Sequence, residues 1–245
     1  MALRRPPWLP DPAVVADLFP DLSALALARA VASSLATRAS NAAARRLVKI
    51  LGNRRIAPLV RVVGAQRLAR ARAAGRPVVL VAWHAGLVAL LGAALVALDL
   101  EALVLRHHEG SDADGIAHVS TRGGSALALH RAVRHARAGG VVLIVLDVLQ
   151  LERPTAGRTP LLGRRVQLPR GPAALARLAG ADLVCVAPRL GPRGVEVHLS
   201  DPLPRGDDDR ATMIGVARWW ESWLLSHPGD LWPESARAIA RYPRG

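Results

Sequence analysis

From residue 78 to residue 98 the chain runs for 21 residues with a single ionisable side chain, His84. A stretch that long and that apolar has to leave water on every side, so it is either a membrane span or the middle of a covered core. Residue choice favours the core. Val78-Val79-Leu80-Val81 is mostly β-branched and follows the breaker pair Arg76-Pro77, whereas residues 87–98 are rich in Leu and Ala. The run therefore predicts a buried strand, a turn carrying His84 and a buried helix.

The same alternation continues on both sides. Apolar runs at 60–63, 102–106, 141–146, 183–188 and 195–199 read as further strands, and helical patterns fall at 66–74, 124–137, 172–179 and 211–226. Strands that are apolar throughout, separated by helices, predict an α/β domain whose central sheet, mostly parallel or mixed, is covered by helices on both faces. The first 60 residues differ. Leu18, Leu22, Leu25, Val31 and Leu35 recur at helical spacing, and Arg45, Arg46 and Lys49 interleave with Leu47, Val48 and Ile50. Residues 1–60 are thus expected to form a basic amphipathic helical annex and residues 61–245 the α/β domain. Residues 150–170, with Pro, Gly and Arg, read as a long loop.

Charge narrows the partners. Thirty-three basic residues against 19 acidic give a net charge of +14, which suits a polyanion, although an arginine-rich composition by itself would give the same excess. With 3% aromatic residues there is little to stack on bases, and no nucleic-acid signature occurs, so nucleic acid is not expected as a partner. An anionic membrane surface or an acidic carrier protein fits better. The single Cys185 excludes an internal disulfide framework and a multi-cysteine zinc site. The opening MALRRPPWLPDP interrupts its basic residues with prolines and an acid, so no cleavable signal segment is expected.

Chemistry is expected at strand ends. His84 follows one apolar strand and Asp147 another, which would bring two titratable groups to one edge of one sheet. Arg106 ends a strand, Arg122 precedes Gly123-Gly124, and Arg170-Gly171 leads into a helix with Pro172 in its first turn. Each is placed to hold a phosphate or carboxylate. The run Arg106-His107-His108-Glu109 with Asp112 and Asp114 has metal-ligating residue types, but adjacent histidines on a strand point to opposite faces, and no metal site is expected. No Gly-rich nucleotide loop occurs, so no nucleotide cofactor is expected.

Taken in order, several segments resemble the bacterial lipid A biosynthesis lauroyl/myristoyl acyltransferases, a branch of the lysophospholipid and glycerolipid acyltransferases. They are Val62-Val63-Gly64, Trp83-His84-Ala85-Gly86, the strand to Arg106, Arg122-Gly123-Gly124, the strand to Asp147, Pro160-Leu161-Leu162-Gly163 to Pro172, and Leu231-Trp232, and the similarity runs from about residue 45 to about residue 235. The resemblance implies transfer of an acyl chain from acyl carrier protein or coenzyme A to a lipid hydroxyl at the cytoplasmic face of the inner membrane; a lipid amine is kept beside the hydroxyl as acceptor, and the basic region to residue 60 is expected to dock the chain peripherally. The thioester is a co-substrate and no other cofactor is implied. It also implies that His84 is the general base; Arg106, Arg122, Arg170 and Gly171 are expected on the substrate from their strand-end and helix-start positions. In the family an acid follows that histidine after four intervening residues, and here the position holds Ala89. Two alternatives stay open: Asp147 serves as the partner acid, or the chain is a weak or inactive relative that binds acyl chains, carrier protein or anionic membrane.

Overall fold

A strand with both faces covered sends alternate side chains into two different cores, and the strand Val78–Trp83 does so. Val79, Val81 and Trp83 enter one core, while Val78, Leu80 and Ala82 enter the other, all at most 2% exposed. Each larger side chain so buried contributes about 1.5–3 kcal/mol, which is why no polar residue interrupts the strand. The computed structural model that shows this describes residues 9–106, 116–121, 125–146, 156–204 and 206–244.

In chain order the elements begin with α1 (Pro12–Leu18), α2 (Ala24–Leu51), α3 (Asn53–Ile56), β1 (Val60–Val63), α4 (Ala65–Ala73), β2 (Val78–Trp83), α5 (Leu91–Ala97), β3 (Ala102–Arg106) and β4 (Ile116–Ser120). They continue with α6 (Ser125–Arg137), β5 (Val141–Leu146), β6 (Ala156–Leu161), β7 (Arg164–Pro169), α7 (Gly171–Ala179), β8 (Asp182–Gly191), β9 (Gly194–Leu199), α8 (Asp209–Ser226) and α9 (Pro233–Ala240). Seven strands form one sheet in the order β1-β9-β8-β2-β5-β3-β4, in which only the β8–β9 pair is antiparallel. The α/β reading with a mostly parallel sheet holds. Helices α1, α6, α7, α8 and α9 pack on one face, and α3, α4 and α5 on the other. The long α2 touches both cores, through Ala30 on one side and Ala44 on the other. It starts where the Ser23 hydroxyl accepts from the Ala26 amide and stops at Gly52, whose φ of 77° no helix can continue.

One segment departs from the sequence reading. Within the stretch read as a loop, residues 156–169 form the β6–β7 hairpin, because Thr159, Leu161, Val166 and Leu168 alternate inward while Arg158 and Arg165 face out. The prolines and arginines there mask a period of two. Its connection is Leu162-Gly163, with φ of 50° and 68°, the left-handed pair that a tight two-residue hairpin needs. The strand β4 and the helix α9 were also not anticipated. No helix among the described residues is long and apolar enough to cross a membrane, and residues 78–98 divide into β2, a turn and α5.

Candidate active site

The carboxyl ends of β2, β3 and β5 lie on one edge of the sheet, with Trp83 opposite Leu146 and Leu105 opposite Ile144. His84 follows β2 there, and Arg106 is the last residue of β3. Arg170 and Gly171 stand at the start of α7, both exposed. Asp147 and Arg122 lie outside the described residues, as does the His107–Asp114 run, and only the backbone of Arg106 is described. No cluster of metal-ligating side chains occurs among the described residues.

What the structure adds is the way the His84 turn is held. The Gly86 amide donates to the Asp230 carbonyl at 2.8 Å and the Leu87 amide to the Pro188 carbonyl at 2.9 Å. The Ser235 hydroxyl donates to the His84 carbonyl at 3.2 Å, and the Trp232 indole N–H to the Gly86 carbonyl at 3.0 Å. Ala85 and Leu231 form an antiparallel bridge, and the Leu231 carbonyl accepts from Ser34 on α2 at 2.8 Å. Segments distant in sequence therefore fix one turn, a form of preorganisation that keeps the imidazole from swinging with the backbone. The ring itself is half-buried and meets Trp232 edge-on, centroids 5.5 Å apart. Behind that indole, the Arg38 guanidinium lies 4.8 Å from the ring centroid and bonds Glu234 Oε1 through Nε and Nη2, both at 3.2 Å. Trp83 is fully buried edge-on against Trp220 and plays a packing role.

Position 89 is informative as well. The Ala89 amide donates to Oδ1 of Asn41, a residue of α2 with no exposed surface, at 2.9 Å. That bond assigns the other end of the amide as Nδ2, which is buried and has no hydrogen-bond partner among the described residues. The reading of residues 87–98 as one helix needs adjustment for the same reason: a 3-10 turn spans Val88–Leu90 where Asn41 takes the backbone donor, and α5 begins at Leu91.

Asp230 sits beneath the turn. Burial pushes its carboxyl up to about 6, against the opposing pull of Arg189 and of the hydrogen bond from the Trp223 indole N–H at 3.2 Å. Its ordinary value is 3.8. Between those values the folded chain binds the proton that the unfolded chain has lost, so this group's favourable share is full below about pH 4 and disappears as pH rises through 6. The Asp230→Asn variant is accordingly expected to be about 1–3 kcal/mol more stable than the parent at pH 8 and not at pH 4, a difference that urea midpoints at the two pH values will read. Equal differences at both would remove the burial argument.

Arg38, Asn41, Asp230, Trp232 and Ser235 were not anticipated as parts of this site. Only the aromatic ending Leu231-Trp232 hinted at it, through its place in the resemblance, since the bonds from Ser34 to Leu231 and from Ser235 to His84 join residues 197 and 151 positions apart. The free thiol of Cys185 is buried and pushed up by desolvation, so it is chemically quiet. Against known proteins, the family model described as bacterial lipid A biosynthesis acyltransferase matches residues 16–232. No curated protein matches the sequence.

Proposed function

Because the chain belongs to the bacterial lipid A biosynthesis acyltransferase family, we propose that it moves a fatty acyl group from a carrier-protein or coenzyme A thioester to a hydroxyl or amine of a lipid, with His84 as general base. The observation that carries this reading is the half-buried imidazole at the carboxyl edge of the sheet, its turn pinned from α2, β8 and the 230–235 segment. His84 accepts the acceptor's proton as oxygen or nitrogen attacks the thioester carbonyl; the tetrahedral adduct collapses, the C–S bond breaks, and the departing thiolate takes that proton from the imidazolium. A thioester is already activated, so the step needs no further cofactor. Asp147 is the proposed partner of the imidazole, and Arg106, Arg122, Arg170 and the Gly171 backbone are proposed to hold anionic groups of the substrates.

The setting proposed is peripheral, on the cytoplasmic face of the inner membrane. Between residues 22 and 98 the sequence contains twelve basic residues and no acidic one. Around the end of α2, the exposed Leu47, Ile50, Leu51 and Leu59 are interleaved with exposed Arg45, Arg46, Lys49, Arg54 and Arg55. Aliphatic side chains among guanidinium groups suit the boundary between acyl chains and anionic headgroups. The division at residue 60, with the helical annex as the docking part and the remainder as the catalytic part, is proposed on the same ground.

Purified protein is expected to consume acyl carrier protein thioester only when an acceptor lipid is supplied, with acyl-lipid formed in equal amount by mass spectrometry. Absence of acyl-lipid with carrier-protein and coenzyme A donors alike would sink the proposal. Ala89 favours a second reading, in which the chain binds acyl thioester or membrane without turnover; retention of donor in the same experiment, with no product, is its signature.

A further inference from the structure

The β6–β7 hairpin turns one face to the core and the other outward, and the outward face is edged by the last described residues of the chain. Together they enclose a pocket of about 100 Å³ lined by Arg158, Arg165, Gln167, Tyr242, Pro243 and Arg244. The register sets three of these side by side, since Arg158 is opposite Gln167 and Arg165 opposite Pro160, which makes Arg165 the diagonal neighbour of Arg158 on the same face.

The wall of this pocket is built rather than draped. Arg164, only 7% exposed, points the other way and binds the Ala240 carbonyl at 3.0 Å, the Tyr242 carbonyl and the Asp17 carboxylate. Arg164 and Arg244 form a backbone bridge, and Arg244 donates to the Asp17 carbonyl and to Asp17 Oδ1, both at 2.8 Å. The terminal segment is thereby strapped to the hairpin and to α1. Charge is left unbalanced, however. Asp17 answers both Arg164 and Arg244, whereas among the described residues neither Arg158 nor Arg165 has a carboxylate within ion-pair distance. Two unmatched guanidinium groups on adjacent positions of one face repel each other, and an anion with several acceptor oxygens placed between them reverses the sign.

We propose that this pocket binds a phosphoryl group, held by Arg158 and Arg165 with Gln167 beside them. The volume is worth about three waters at liquid density, enough for one tetrahedral oxyanion. Its location gives the site a role. The helix α9, eight residues and about 12 Å long, has its first turn against His84 through Ser235 and its end at Ala240, where the pocket wall begins. A phosphorylated lipid anchored in the pocket would be held about one short helix away from the turn that carries His84. The assignment to a lipid headgroup rests on the acyl-transfer reading; phosphate binding as such does not.

The test is calorimetric titration of the intact protein with inorganic phosphate, at ionic strength held constant with sodium chloride. Saturable one-to-one binding is expected, weakened about tenfold or more in the Arg158→Gln/Arg165→Gln double variant. It should be unchanged in an Arg131→Gln/Arg134→Gln variant, which removes the same charge from exposed positions of α6. Binding no stronger than the chloride control, or equal loss in the Arg131/Arg134 variant, overturns the site. A second arm compares phosphatidic acid with diacylglycerol in neutral detergent micelles: preference for phosphatidic acid that the double variant loses assigns a lipid headgroup, and binding of inorganic phosphate alone assigns a free anion. Phosphate binding without acyl transfer condemns the functional reading and leaves the pocket standing.

Discussion

Gly86→Ala is expected to cost about 3–5 kcal/mol in stability, enough to leave little folded protein, while Gly75→Ala costs about 1 kcal/mol. Both glycines have positive φ, 56° and 65°, so both lose the left-handed preference that only glycine supplies. The difference is what a Cβ would meet. At Gly75 nothing lies within 4 Å, whereas at Gly86 it would sit 1.7 Å from the Pro188 carbonyl oxygen. That oxygen already accepts from the Leu87 amide, and the Gly86 amide donates to Asp230, so relief requires β8 or the 230–235 segment to move away from the turn that carries His84. Urea unfolding of the two variants measures the contrast. Equal midpoint shifts would show that the close approach of β8 to this turn is wrong, and the preorganised imidazole with it.

The contrast also marks what the sequence could disclose. Residues 78–98 carried their own answer because the β-branched run and the Leu/Ala run each obey a local period, and five of the seven sheet strands were legible to within a few residues in the same way, with β2 the sixth and β4 the one missed. The β6–β7 hairpin was hidden because its outward positions hold arginines and a proline, which read as loop when they are in fact one face of a ribbon. His84 stood out as the one ionisable side chain in an apolar run. The groups that hold its turn did not, for a physical reason: Ser34, Trp232 and Ser235 act through single hydrogen bonds across 146 to 197 residues of chain, and no local pattern encodes such a bond. Asn41 is another case. An asparagine in the middle of a long helix looks like a weak helix former on a solvated face, yet it is fully buried and takes the amide of Ala89.

His84→Ala is expected to lower acyl transfer by about 10²–10⁴-fold while leaving the urea midpoint near the parent's, because the turn is held by backbone groups that alanine keeps. The complementary variant is Ala89→Glu. In the serine-protease triad, disabling the acid that orients the histidine costs roughly 10⁴ in turnover, so an imidazole of this family with alanine in the acid's position starts far below its ceiling unless another carboxylate orients it. The buried Nδ2 of Asn41, beside the Ala89 backbone and without a partner among the described residues, offers a donor to a carboxylate introduced there. Ala89→Glu is therefore expected to raise turnover at least tenfold, with the gain lost again in the His84→Ala/Ala89→Glu double variant. A parent already as fast as Ala89→Glu identifies a resident acid, with Asp147 the residue to replace next. If neither protein turns over donor, the imidazole is not a base in this chain and binding is its work.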